Sequence, residues 1–221
     1  MWKTATFLAA CVGAWMVTGT AMGHSASQAC GTAGGAVETV RRADGATLVI
    51  CRFPDGSACS EEALLRSVCT EGKAHLPTSD PVAYCRAMGT MDDPGPLWTG
   101  PRMPEVVATG LRHAMGVPAD RPLEPFREGG FWRCMDGAVY ACAIGANLPC
   151  TAKADASRTP NEGMVTYCRQ NPGVAVIPAY AAGRETIYAW SCRGHTPEPG
   201  GQVVEVDQRG YLANIWHRVA P

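Results

Sequence analysis

Cysteine is the residue type with the clearest chemistry in this chain, and it is spread out rather than clustered. Cys51 and Cys59 bracket RFPDGSA, and the same interval separates Cys134 from Cys142 and Cys142 from Cys150. Thiols so placed could hold a metal, exchange electrons or form disulfides. A thiolate zinc site asks for Cys-x-x-Cys pairs or cysteines interleaved with histidines. The chain has no Cys-x-x-Cys, and His24, His75, His113, His195 and His217 are scattered. Apart from Cys11, in the N-terminal apolar stretch, the set is even: Cys30, Cys51, Cys59, Cys69, Cys85, Cys134, Cys142, Cys150, Cys168 and Cys192. The expectation is that all ten pair, with no metal, no cofactor and no thiol left as a nucleophile.

Other catalytic signatures are missing. There is no G-x-S-x-G, no H-E-x-x-H and no P-loop, and no two carboxylates can be assigned as acid and base. No catalytic residue is assigned, and the expected role is binding rather than catalysis. Contact candidates are Asn147 and Leu148 in the ANLPC turn and His195 in the GHTPEPGG loop, because loops on a rigid scaffold carry most binding contacts. Trp132, Tyr188, Trp190, Tyr211 and Trp216 fall on expected strands. Trp132 shares parity with Cys134, and Trp190 with Cys192, which reads as core packing against disulfides.

The compartment is legible at the N-terminus. Lys3, an apolar run to about Val17 and the small residues Ala21-Met22-Gly23 have the layout of a secretory signal peptide over residues 1–23. LAAC at Leu8–Cys11 resembles a lipoprotein cleavage box, but the apolar core continues beyond it, so lipidation of Cys11 is set aside. A periplasmic or secreted protein follows, with no transmembrane segment in the mature chain. Lys+Arg 19 against Asp+Glu 20 gives a net charge of −1, which leaves no electrostatic footprint for nucleic acid.

The polar stretch TEGKAHLPTSDP suggests a division. Residues 24–72 read as a cysteine-rich hairpin/helix module, 73–80 as a linker and 81–221 as an α+β module with its own disulfides. In the first, two strands turn at ADGA, FPDGS makes a second turn, and Ser60 caps a helix over EEALLRSV. A module of this size needs staples and is expected to fold alone with them. The turn sets Cys51 opposite Cys59, and a helix between Cys59 and Cys69 would hold them ~15 Å apart, beyond the ~7 Å that a disulfide tolerates. The expected pairs are Cys51–Cys59 and Cys30–Cys69, with Cys30–Cys59 and Cys51–Cys69 as the alternative. The second module reads as helices from Pro81 to Gly89, from Glu105 to Gly116 and from Pro160 to Asn171. It also reads as a hairpin at Asp136-Gly137, a strand over ETIYAWSCR and a hairpin turning at Asp207 to Gly210. The expected fold is α+β: an antiparallel sheet of four or five strands with two or three helices.

GGAVETVRRADGATLVICRFPDGSACSEEALLRSVC resembles a small cysteine-rich bacterial domain family of unknown function that carries a hemolysin label. The resemblance rests on Gly34, Gly35, Cys51, Phe53, Pro54, Asp55, Gly56, Ser57, Cys59 and Cys69. Where that family has an aromatic residue early in its last helix, this chain has Ala63 and Leu64. Residues 81–219 are similar to uncharacterised exported bacterial proteins through YCRAMGT, FWRCMDGAVYACAIGANLPC, SRTP and WSCRG. Neither resemblance implies catalytic residues. The leading expectation is an exported binding or envelope-associated protein whose partner is a protein or envelope ligand. The second is an inhibitor of an envelope-directed enzyme such as lysozyme, suggested by the cysteine-flanked hairpin WRCMDGAVYAC. The third is a hydrolase whose site has no recognisable motif.

Overall fold

The computed structural model describes residues 26–143 and 149–220. The stretch read as a signal peptide lies outside them, as do Asn147 and Leu148. The described chain is α+β, with short antiparallel sheets, several helices and five disulfides.

Helix α1 (Ala26–Thr32) leads through Gly34 and Gly35 into β1 (Ala36–Arg41), which pairs with β2 (Thr47–Arg52) from Ala36↔Arg52 to Arg41↔Thr47. Gly34 sits at φ 81°. Gly35 passes so close to the first disulfide that a Cβ there would overlap the Cys51 sulfur. The FPDGS turn then folds β3 (Ala58–Ser60) onto β2. Gly56 takes φ 84°, a value open to glycine and strained for branched side chains. Asp55 Oδ1 accepts the Ser57 N–H at 2.8 Å and the Ser57 hydroxyl at 2.6 Å, while Ser57 Oγ accepts the Gly72 N–H at 2.8 Å. Those bonds from Ser57 hold the Asp55 carboxyl below its ordinary range. The Phe-Pro-Asp-Gly-Ser motif is therefore fully used in building its own turn.

The cysteines pair differently from the expectation. Cys51 and Cys59 do face each other across β2 and β3, but each is bonded outward, Cys51 to Cys30 and Cys59 to Cys69, with Cα–Cα distances of 5.4 and 5.8 Å. The estimate that excluded Cys59–Cys69 assumed a helix running through Val68. Helix α2 is only Glu61–Leu65. Ser67 then enters the left-handed region at φ 57°, and the N–H groups of Val68 and Cys69 both donate to the Ala63 carbonyl, at 2.9 and 3.1 Å. That reversal brings Cys69 back beside Cys59. The remaining pairs are Cys85–Cys134, Cys142–Cys150 and Cys168–Cys192.

Two of the longer helices start at capping side chains. Helix α3 (Pro81–Met88) has Asp80 as N-cap, accepting from Val82 and Ala83 N–H, and ends at Gly89. Helix α4 is Glu105–Ala114 and α5 is Glu124–Glu128. Strands β4 (Gly130–Met135) and β5 (Ala138–Ala143) form the hairpin at Asp136-Gly137. Helix α6 (Glu162–Gln170) starts two residues later than the expected Pro160 and is capped by Asn161, whose side chain accepts the Met164 N–H. Helix α7 is Ala179–Ala182, followed by β6 (Tyr188–Arg193), β7 (Thr196–Gln202) and β8 (His217–Arg218).

The expected sheet of four or five strands is split in two, ordered β4-β5-β8 and β6-β7. The GHTPEPGG stretch, read as a loop, is strand β7. Its Pro197 and Pro199 cannot donate to a further strand, which suits a sheet edge. The expected C-terminal hairpin shrinks to a single bridge, Val206↔Leu212. After it a 3-10 turn (Ala213–Ile215) sends the chain to β5 as β8.

The core does not divide at residues 73–80. Ile50, Phe53 and Ala63 share one buried cluster with Tyr84, Leu111 and Trp132, and Ala74 and Leu76 of the expected linker are buried in it too. Ser60 Oγ donates to the Met88 carbonyl at 2.8 Å, and Glu62 accepts the Thr90 N–H at 2.7 Å. The first module therefore leans on the second, and independent folding has no support in the packing. Non-reducing peptide mapping is expected to return the five pairs above. Recovery of a Cys51–Cys59 peptide would refute both the α2 reversal and the docking of α1.

Candidate functional site

A cleft of about 470 Å3, inside the roughly 300–1,000 Å3 of small-molecule sites, has five aromatic side chains in its lining. Strand β4 supplies the centre, Phe131 and Trp132. Met91 pairs with the exposed edge of β4 at Cys134 through bonds of 2.9 and 3.0 Å, so Asp92, Asp93 and Pro94 run on along the cleft. Trp98 is held on this wall because Thr78 bridges to its backbone neighbours.

The indoles are fixed by packing and by their N–H groups. Trp98 and Trp132 meet edge to face at 4.8 Å, and Tyr84 packs on both at 5.5 and 5.9 Å. Trp98 Nε1 donates to the Pro101 carbonyl at 3.0 Å and Trp132 Nε1 to the Arg102 carbonyl at 2.8 Å. Burial pushes the Tyr84 hydroxyl pKa up, more than the Gly95 N–H that it accepts pulls it down. Such pairs contribute roughly 0.5–1.5 kcal/mol each beyond burial, so this wall is rigid before any ligand arrives.

Tyr211 and Trp216 form the opposite wall, with ring centroids 5.8 Å apart. Behind them lies Arg133, whose side chain is 0% exposed. Its guanidinium carbon is 4.1 Å from the Trp216 ring centre and 4.5 Å from that of Tyr211. It pairs with Asp207, itself 7% exposed. Asp207 Oδ1 also accepts the N–H groups of Arg209 and Tyr211, at 2.8 and 3.1 Å. Burial raises the Asp207 carboxyl pKa, but Arg133 and those two N–H bonds outweigh it and hold the group below the ordinary carboxylate range.

The same turn aims Arg209 at Asp92. Arg209 grips Asp92 through Nε at 2.8 Å and Nη2 at 3.1 Å, and Lys153 adds a third bond at 3.0 Å. Burial again raises the Asp92 carboxyl, and Arg209 with Lys153 again lowers it further than burial lifts it. The Lys153 ammonium lies 3.5 Å from the Tyr211 ring centre. Asp93 is answered from the first sheet, by Arg42 Nη2 at 2.8 Å. Asp92 is therefore held as an anion and suits accepting hydrogen bonds, not donating protons.

The residues singled out from sequence are not brought together here. His195 lies in the exposed turn between β6 and β7 and does not line the cleft; Asn147 and Leu148 lie outside the described residues. The core reading of the aromatics holds for Trp190 and Cys192, which share a cluster with Cys168, and for Trp132 with Cys134. Trp132 also lines the cleft, so the two roles are compatible. Trp98, Arg133 and Asp92 went unread. Arg133 carried a signal: in FWRCM it shares parity with Phe131 and Met135, a cation on an otherwise apolar strand face. Among the described residues, no group of three or more His, Cys, Asp or Glu is placed to hold a metal.

A family model described as a domain of unknown function, DUF333, matches residues 21–68. Over that stretch the chain is similar to that family, and the match covers the first sheet and α2. No curated protein and no solved structure matches the chain. The matched segment contains none of the residues lining the aromatic cleft; it reaches the site only through Arg42, which supports Asp93.

Arg133→Met leaves Asp207 buried and unpaired, and is expected to destabilise the protein by roughly 3–5 kcal/mol. Adding Asp207→Asn should recover part of that loss, because no buried charge remains and Asn still accepts the turn N–H groups; urea unfolding of the three variants checks it. Asp207 and Asp92 have lowered folded pKa values, so their contribution is complete above the unfolded value of about 3.9 and is lost as pH falls through the folded values. Wild-type stability should therefore hold down to about pH 5 and fall below pH 4, with a shallower fall in Asp207→Asn.

Proposed function

We propose that this is an exported, disulfide-stabilised binding protein whose ligand site is the aromatic cleft between Trp98, Trp132, Tyr211 and Trp216. The observation that carries the reading is the cleft itself. Rigid aromatic walls and two carboxylates paired with protein cations form a pre-organised concave site. Hydrogen-bonded indoles lose little freedom on binding, so contact energy is retained as affinity. Five disulfides among the described residues fit an oxidising compartment, and no described helix is long and apolar enough to cross a membrane. The hemolysin label of the resembling family adds nothing to this reading, because residues Phe53 to Ser57 are all used in building a turn.

Export by the N-terminal signal is part of the proposal. The protein recovered from a periplasmic fraction should have a mass starting near His24 and no lipid on Cys11; a diacylated Cys11 would replace this with a lipoprotein reading. Ligand binding is tested by saturation-transfer NMR with mixtures of saccharides, organic acids, quaternary ammonium compounds and short peptides. Hits are expected whose signal falls about tenfold or more in affinity terms in Trp98→Leu, the equivalent of ~1.4 kcal/mol. Hits indifferent to that change would place the ligand elsewhere.

A further inference from the structure

The two ends of the cleft are electrostatically unequal. At one end, Asp92 is answered by Arg209 and Lys153, and Asp93 by Arg42. At the other stands Arg102. Its Nη1 donates to the Gly130 carbonyl at 2.9 Å and its Nη2 to the Arg127 carbonyl at 3.0 Å and to the Glu128 carbonyl. These bonds fix the guanidinium beside the cleft, 5.6 Å from the Phe131 ring centre. Carbonyls orient it without neutralising it. Among the described residues Arg102 has no carboxylate partner, and residues 144–148, Ile-Gly-Ala-Asn-Leu, contain no acid. An arginine carries five N–H donors in a fixed fork, so capacity remains for a ligand.

The aromatic faces point the same way. Tyr211 already carries Arg133 and Lys153, and Trp216 carries Arg133. The two cations on Tyr211 and the one on Trp216 weaken the pull of those rings on a further cation. A cationic ligand would also meet Arg102 directly. What remains attractive on these walls is flat apolar contact, and among the described residues one positive charge remains without a carboxylate.

We infer that the ligand of this cleft is a small organic anion, with a flat apolar face that stacks on the indole wall and a carboxylate or phosphate that pairs with Arg102. This rests on the cleft being the ligand site. Two sources supply that chemistry: an acidic saccharide, stacking through the C–H face of its ring, and an aromatic acid.

The experiment uses the oxidised mature protein and matched probes differing in charge. One pair is tri-galacturonate and maltotriose; the other is 1-naphthoate and 1-naphthamide; tetrapropylammonium is the cation. Tryptophan fluorescence titration at low salt should show the acid of at least one pair binding about tenfold or more tighter than its neutral partner, as one charge-assisted hydrogen bond of roughly 1.5–3 kcal/mol requires. Which pair responds identifies the source. The advantage should shrink in high salt, persist in part in Arg102→Lys and vanish in Arg102→Met. The wild-type comparison stands even if Arg102→Met fails to fold. Neutral or cationic probes binding as well as the acids, sensitive to Trp98→Leu, would overturn the anion and leave the cleft as the site. No Trp98-sensitive binding by any probe would overturn both.

Discussion

A charge without solvent contact organises the second half of this protein. The guanidinium of Arg133 sits between the rings of Tyr211 and Trp216 and against Asp207. Burying such an ion costs several kcal/mol. A carboxylate and two ring faces converge on it, each desolvated ring face contributing about 2 kcal/mol, while its Nε and Nη1 have no hydrogen-bond partner among the described residues. Asp207 pairs with Arg133 and at the same time accepts the N–H groups of Arg209 and Tyr211, which ties the turn from Asp207 to Tyr211 to the buried cation. The turn in turn aims Arg209 at Asp92. One buried cation thus determines the far wall of the cleft and the state of a carboxylate on the near one.

The near wall depends on a different constraint, the pairing of Met91 with the exposed edge of β4. An unpaired strand edge is a liability, and here a loop covers it. Covering it carries Asp92 and Asp93 to the cleft and leaves Asp93 within reach of Arg42 from the first sheet. The small cysteine-rich segment therefore works as a buttress. Its disulfides and its Phe-Pro-Asp-Gly-Ser turn hold β2 and β3 in place, β3 and α2 dock on α3 through Ser60 and Glu62, and the hairpin reaches one carboxylate of the cleft. A domain that supplies rigidity and one supporting cation need not contain a site of its own.

The balance between rigidity and chemistry favours recognition. The carboxylates of the cleft are tied to cations, and the indole N–H groups of Trp98 and Trp132 are tied to backbone carbonyls. These arrangements reduce the freedom lost when a ligand binds. Whereas Arg42, Arg209 and Lys153 pair with carboxylates, Arg102 donates to backbone carbonyls.

Local signals were read correctly where the physics is local. Asp80 and Gly89 bound α3 as their types require, Asp136-Gly137 makes a hairpin, and Gly56 makes the FPDGS turn. The even cysteine set also matched pairing within each half of the chain. The α+β class followed from such elements. What failed depended on where a chain stops or turns for tertiary reasons. The Cys59–Cys69 bond exists because Ser67 reverses the chain after five helical residues, a choice stabilised by Ala63 accepting two N–H groups and by packing on α3. The buried cluster shared by the two segments takes in Ala74 and Leu76 because they find apolar neighbours that their polar sequence context does not announce. The cleft was the least legible part. Trp98 lies in a loop without periodicity, Asp92 and Arg209 are far apart in sequence, and only the folded chain brings them to 2.8 Å. Sequence determined the turns, the caps and the oxidised state, because each depends on a few neighbouring residues. The cleft and the disulfide partners were decided by tertiary structure, because each depends on contacts between segments whose spacing carries no local signal.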